Sequence, residues 1–301
     1  MRFLWVLSLV LVACASKSVR IEKRQEVVIG SDFLRPSDKH IFSRFERKTK
    51  IQVRIQSLSA DELAHVLDSQ GYSCPYDMLM VRSLTSVKKI PEKALHPLPQ
   101  DFFSDPVACF RTFRFRKWLV LGIDPYIFSL PNDSLRPAEN YADLRKRNWT
   151  TPNADQLRVF YAHLRYRYSS EPKAFNNLLK ELKQHLIPFS ATDSLQNRTL
   201  QLLTWSETLA FSTKRKERLF FPNETKGGYY ADRKCIAVIR QARNFENAKE
   251  LLNYIPQFMD LDFYAELFGV LPHPDFSSKL KLKELNFFRA HEDSLLRYLM
   301  K

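Results

Sequence analysis

Strand and helix alternate from Glu26 onward, and this alternation restricts the possible folds of the 301-residue chain more than any other feature. Val27-Val28-Ile29 is a short apolar run suited to a buried strand, and Asp38 to Lys48 then places Ile41, Phe42 and Phe45 on one helical face. Ile51 to Gln56 alternates with period two, as a strand with one covered face does. Ser59-Ala60-Asp61-Glu62 has the spacing of a capping box, and Leu63, Val66 and Leu67 continue an apolar helix face behind it. Met78 to Val81 is the third strand. Strand, helix, strand, helix and strand in so short a stretch predict parallel α/β architecture.

The same grammar recurs further on. Lys117 to Ile123 reads as a strand, and Asp155 to Tyr168 and Glu171 to Leu186 read as helices. Leu200 to Thr204 is a strand leading into a helix that runs to about Lys216. Cys235 to Ile239 is a strand and Phe245 to Ile255 a helix. Proline-rich stretches at Pro91 to Pro106 and Pro131 to Pro137 separate these blocks. Ligands of open α/β sheets sit beyond the carboxyl ends of strands, so two facing blocks imply a cleft that can close.

Several function classes are excluded at this point. The chain has 6 glycines, with no G-x-G pair and no phosphate-cradling loop ahead of a Lys, so the nucleotide-binding folds built on such loops do not apply. There is no G-x-S-x-G and no H-E-x-x-H, and the seven histidines show no i, i+4 pair that would chelate zinc from one helix. No enzyme activity and no cofactor are expected.

The first residues address the chain to a membrane. Met1-Arg2 is a short positive start, Phe3 to Val12 is an apolar run of ten, and Leu11-Val12-Ala13-Cys14 closes it. Ten helical residues rise about 15 Å, half a hydrocarbon core, which suits a signal peptide and is too short to span. The stretch resembles a bacterial lipoprotein signal. That resemblance implies cleavage of residues 1–13 and diacylglycerol on Cys14, with 14–25 as a tether in the cell envelope. A plain secretory signal, cut elsewhere, is the alternative. Processing before Cys14 takes only Arg2 from a formal net charge of +14; the excess is solvated surface or suits an anionic partner, and an exported protein of that charge is a poor candidate for chromosomal nucleic acid. Cys74, Cys109 and Cys235 can form at most one bridge; three separate buried thiols are expected, with a Cys74 to Cys109 disulfide as the alternative.

Taken in order, several segments resemble bacterial extracellular solute-binding proteins of the type II periplasmic-binding-protein fold, in the branch of ferric-ion, thiamine and phosphonate binders. They are Val27-Val-Ile-Gly-Ser-Asp32, Phe42 to Val53, Tyr76-Asp-Met-Leu-Met80, Leu203-Thr-Trp-Ser-Glu-Thr208, Phe220 to Glu224, Ile236 to Arg240 with Asn244 to Ile255, and Leu271-Pro-His-Pro274. The resemblance covers residues 26 to about 275. It implies two lobes, each a mixed sheet flanked by helices, joined by two crossing hinge strands. Lobe I is expected at 26–117 plus 230–268, lobe II at 118–229, and C-terminal helices at 269–301.

Departures from the family pattern bear on the ligand. Where ferric binders carry a His, a Glu and a Tyr-Tyr pair, this chain holds Leu34, Arg82, Ser206 and Glu207. Tyr229-Tyr230 falls later in the order and reads as hinge packing. Arg82 at a strand's carboxyl end offers a five-donor fork for phosphate or carboxylate, or is plain surface charge. Ser57 and Ser59 precede a helix N-terminus, an anion site or a simple cap. Arg116 lies near the expected lobe crossing, while Asn153, Ser206 and Glu207 face the cleft from the second lobe, opposite Ser31 and Asp32. The resemblance therefore implies a monomeric, lipid-anchored receptor that delivers a small anionic solute to an ABC permease in the inner membrane. Two alternatives stand beside it: a degenerate binding-protein fold serving as a surface sensor or interaction protein, and a ferric-ion binder with non-standard ligands.

Overall fold

The computed structural model describes residues 25–98, 112–113, 116–130, 140–152, 154–189, 199–212, 218–220 and 230–258. Residues 1–24 with Cys14, and also Cys109, Arg114, Asn153, Tyr229 and 269–301, lie outside them. No helix among the described residues is long and apolar enough to cross a membrane.

The opening alternation is realised as β1 (Glu26–Ser31), α1 (Ser43–Thr49), β2 (Gln52–Ser57), α2 (Ala60–Gln70), β3 (Met78–Val81) and α3 (Leu84–Lys89). A 3-10 turn at Pro36–Phe42 takes up the first part of the segment whose spacing predicts one longer helix, and Pro36 sits in its first turn. Pro lacks the N–H that a helix interior needs but suits a helix start. β1 pairs in parallel with β2 and with β3.

Both faces of this sheet are covered, so its strands feed two cores in alternation. Val27, Ile29, Met78 and Met80 enter the core that also holds Phe45 of α1. Val28, Leu79 and Val81 enter the opposite core, with Leu63 and Leu67 of α2. A near-continuous apolar run is what burial on two faces demands, whereas β2 at the edge keeps Gln52, Arg54 and Ser57 exposed. Asp77 is 2% exposed and ties this layer together. It accepts from Val28 N at 2.9 Å, Asn244 N at 2.9 Å and Asn244 Nδ2 at 3.2 Å.

α2 approaches the sheet closely at Gly30. A Cβ there would sit 2.8 Å from Leu63 Cδ2 and 3.2 Å from the Tyr76 ring. Gly30→Ala should cost about 1–3 kcal/mol by overpacking. Urea unfolding measures this directly, and a loss below about 0.5 kcal/mol would show that α2 yields freely.

The remainder comprises β4 (Thr112–Phe113), β5 (Trp118–Leu130), β6 (Trp149–Thr150), α4 (Ala154–Arg167), α5 (Pro172–His185), β7 (Leu200–Thr204), α6 (Trp205–Ser212), β8 (Arg218–Phe220), β9 (Ala231–Val238) and α7 (Phe245–Phe258). β5 and β9 are the crossing strands. β9 pairs antiparallel with β3 through Cys235 to Val238 and with β5 from Ala231 to Ile236. β5 continues past Pro125 and pairs with β7 and β8 instead. A proline has no N–H for a ladder, so the strand changes partners where one donor is already missing.

The hydrogen-bonding path is thus unbroken from one lobe to the other, in the order β2-β1-β3-β9-β5-β7-β6. Instead of one mixed sheet to each lobe, there is a single continuous sheet whose two parts are joined through the 13-residue β5. The core that holds Leu63 and Leu67 is aromatic around β5, β6 and α4: Tyr126, Phe128, Tyr141, Trp149, Phe160 and Tyr230 pack together, and Trp149 Nε1 donates to Leu182 O at 3.1 Å.

Candidate functional site

Two acidic residues face each other at the crossing of β5 and β9, where Asp124 pairs in register with Asp232. Both are 3% exposed. Like charges opposite one another on adjacent strands destabilise a sheet, so each needs a remedy. Asp124 has a cation, Lys234 Nζ at 3.2 Å from Oδ2. Ser206, at the start of α6, adds two donors to the same carboxylate: its N at 2.8 Å from Oδ1 and its Oγ at 2.6 Å from Oδ2. Burial pushes Asp232 up to about 7, its backbone partners and Arg233 work against that, and Asp124 adds a little to it. Asp232 Oδ1 accepts from Leu84 N at 2.9 Å, at the first residue of α3, so β9 is fastened to that helix.

Lys234 reaches two separate elements. Its Nζ donates to Ser206 Oγ at 2.8 Å at the start of α6 and lies 5.7 Å from the ring centroid of Phe33, just beyond β1. Its side chain is 9% exposed.

Beside Phe33, the carboxyl ends of β1 and β3 carry a second cluster. Asp32 Oδ1 accepts from Arg82 N at 2.7 Å, and Oδ2 accepts from Ser86 Oγ. Burial raises the Asp32 carboxyl above its ordinary value, while Ser86 and Arg82 pull it back. The exposed Arg82 side chain folds onto the Asp32 carbonyl, with Nε at 3.1 Å and Nη2 also donating. A guanidinium has five N–H donors, and this carbonyl takes two of them.

The sequence-predicted residues divide into those at this junction and those away from it. Asp32, Arg82, Ser206 and Glu207 gather here. Glu207 Oε1 accepts from Gln156 Nε2 at 2.6 Å and Oε2 from Thr204 N at 3.0 Å, and burial raises its carboxyl. Ser31 Oγ is turned to its own loop, accepting from Phe33 N at 3.3 Å and Leu34 N at 3.0 Å. Ser57 closes β2 opposite Ser31. Ser59 caps α2 in a reciprocal box with Glu62, whose Oε2 accepts from Ser59 N at 2.7 Å. Arg116 sits in a left-handed turn ahead of β5, with φ 59°, and its carbonyl accepts from Leu98 N.

Sequence reasoning missed Lys234, Asp124, Gln156 and Ser86. The signal for the first was present: Asp232-Arg233-Lys234 puts three charges next to the apolar run Cys235 to Ile239. Tyr230 is a packing residue, stacked on Tyr141 at 4.3 Å and His163 at 5.0 Å. Burial pushes its phenol up to about 12, against the pull of Arg167. Cys74 and Cys235 are buried and in no disulfide, and Cys235 Sγ donates to Arg233 O at 3.8 Å.

No protein-family model matches the chain, and neither does any curated protein. Solved structures do match. The Trichodesmium protein IdiA, or FutA, in complex with iron and citrate is 14% identical, with a TM-score of 0.68, over 91% of this chain and 99% of its own. The apo ferric ion-binding protein A of Pasteurella haemolytica is 16% identical, with a TM-score of 0.69, over 92% of this chain and 97% of its own. A two-component system protein described as mediating signal transduction is 15% identical, with a TM-score of 0.66, over 87% and 92%. What these likenesses establish is architecture: the chain has the two-lobed type II periplasmic-binding-protein fold.

Proposed function

We propose that the protein is a lipid-anchored solute receptor of an ABC-type importer, closing two lobes on a small anionic solute and presenting it to a membrane permease. On this reading the lobes divide at 26–117 plus 230–268 and at 118–229, and the protein works as a monomer. The observation that carries the reading is a pair of cations, Arg82 and Lys234, set against the Asp32-Phe33 segment at the strand ends. The neighbouring carboxylates already accept from protein donors. Calorimetric screening against phosphate esters, phosphonates and carboxylates should find a micromolar ligand, and Arg82→Ala should weaken it at least tenfold, about 1.4 kcal/mol. Unchanged binding in that variant would remove Arg82 from the site. Lipid attachment is tested separately: Cys14→Ser should move the protein from membranes to the soluble fraction, and an unchanged distribution would refute the anchor.

Several structural neighbours are named for ferric iron, which makes iron the second reading. Among the described residues there is no group of three or more His, Cys, Asp or Glu that could hold a metal ion. Hard Fe³⁺ wants several anionic oxygens, and Tyr230 is held as a phenol in an aromatic stack. Ferric citrate should therefore give no phenolate-to-iron charge-transfer band. A coloured complex that disappears in Tyr229→Phe or Tyr230→Phe would move iron to first place. The neighbour named for signal transduction keeps a sensor role as the alternative to transport. A histidine kinase gene beside this one, in place of a permease and ATPase pair, would favour it.

A further inference from the structure

We infer that the seam between α3 and α4 holds a second binding site, for a small anion carrying an aromatic or other apolar body, such as an aryl phosphate. A cavity of about 460 Å³ opens there, within the range of small-molecule sites. It shares no residue with the Lys234 junction. Four cations line it, Lys88 and Lys89 from the last turn of α3 and Arg158 and Arg165 from α4, and no acidic side chain does. Arg158, Tyr161 and Arg165 stand at i, i+3 and i+7, one face of the helix. Acidic partners are present but lie outside the lining: Asp61 is 2.8 Å from Lys89, and Asp155 is 3.4 Å from Arg158.

The lining also has an apolar part, Phe175 and Leu179 from α5 with Tyr161 and Ala162 from α4. The Tyr161 hydroxyl is buried and has no hydrogen-bond partner among the described residues. Burial pushes this phenol up to about 12, so at neutral pH it remains a donor. A buried donor left unmatched is unfavourable, and an acceptor on a ligand that reached it would relieve that cost. A second cavity of about 390 Å³ has Arg165 and Phe175 in common with the first. A merely solvated basic face would spread its cations over an exposed surface. Here Lys88, Lys89 and Arg165 are half-buried around an apolar hollow.

The test titrates 1-naphthyl phosphate into the purified protein, with inorganic phosphate and 1-naphthol as separate arms. Saturable one-to-one binding is expected, at least tenfold tighter than either half alone. Arg158→Gln, at an exposed position, and Arg165→Gln should together weaken it at least tenfold, and Phe175→Ala should do the same. Arg82→Ala should leave it unchanged, so failure here and failure of the solute-receptor reading are read from different variants. Absence of saturable binding, indifference to Arg158→Gln with Arg165→Gln, or loss on Arg82→Ala would overturn the assignment. Binding to phosphatidylglycerol vesicles without uptake of the free aryl phosphate would overturn it as well, in favour of a membrane-facing surface.

Discussion

Lys234→Met should cost about 3 kcal/mol of stability at neutral pH and abolish solute capture, the largest effect expected from any single change at the hinge. The reason lies in what the substitution leaves behind. Asp124 is 3% exposed and loses the ammonium 3.2 Å away, and an uncompensated buried charge typically costs 3–5 kcal/mol. Ser206 keeps both of its donors on that carboxylate, which places the cost at the low end. Asp124→Asn in the same chain should return most of the loss, because an amide accepts from Ser206 without a counter-ion. Solute capture should stay lost in the double variant, since the cation is still missing. Urea unfolding of the two single variants and the double variant gives the coupling. If Lys234→Met unfolds within 1 kcal/mol of the parent, the buried pair is not what holds the crossing strands together.

That lysine shows where the sequence was readable and where it was not. β1, β2 and β3 come through as two-faced or one-faced period-two runs, and the capping box at Ser59 fixes the start of α2. β7 has the bounds its apolar run predicts, Leu200 to Thr204. β9 does not. Its apolar signal begins at Cys235, whereas the strand begins at Ala231. Three consecutive charges are a poor strand signature, and they are tolerated because Asp124, Ser206 and the N–H of Leu84 lie across from them. β5 likewise runs to Leu130, well beyond Ile123, because it exchanges one sheet partner for others at Pro125. Partner exchange is a tertiary event with no local period. β4, β6 and β8 have two or three residues each and carry no pattern to read.

The same division holds at the site. Arg82, Asp32, Ser206 and Glu207 could be named because they occupy positions in ordered segments that resemble a known family. Asp124 and Lys234 could not, since each is a charged residue on a strand and only the pairing of β5 with β9 shows that they meet. Ser59 also shows how an anion-site signature and a cap coincide: both require a hydroxyl before a helix, and the reciprocal bond to Glu62 engages this one locally.

Opposed titrations at the hinge lead to the second large effect, a pH dependence that one substitution should uncover. Asp232 titrates at about 7 in the folded protein, against an ordinary value of 3.8. Between those values the native state holds a proton that the unfolded chain has lost, so stability from this group falls as pH rises from about 4 to about 7. His163 is buried and neutral. Burial lowers it to about 3 from 6.5, with Arg233 adding to the shift and the bond to the Ala231 carbonyl opposing it. Here the unfolded chain holds the extra proton, and stability rises as pH climbs from about 3 to 6.5. Each contributes close to 1.4 kcal/mol per pH unit where it titrates, with opposite sign, so between about 4 and 6.5 they cancel. Asp32 and Glu207, both raised, lean the same way as Asp232. Asp232→Asn keeps an oxygen for the Leu84 N–H but removes the falling arm. Relative to the parent, its stability should therefore gain about 3 kcal/mol between pH 4.5 and 6.5, and His163→Gln should tilt the other way. Parallel pH profiles for the parent and Asp232→Asn would show that the hinge carboxyl is ionised throughout, and the like-charged pair across β5 and β9 would then need another remedy than a retained proton.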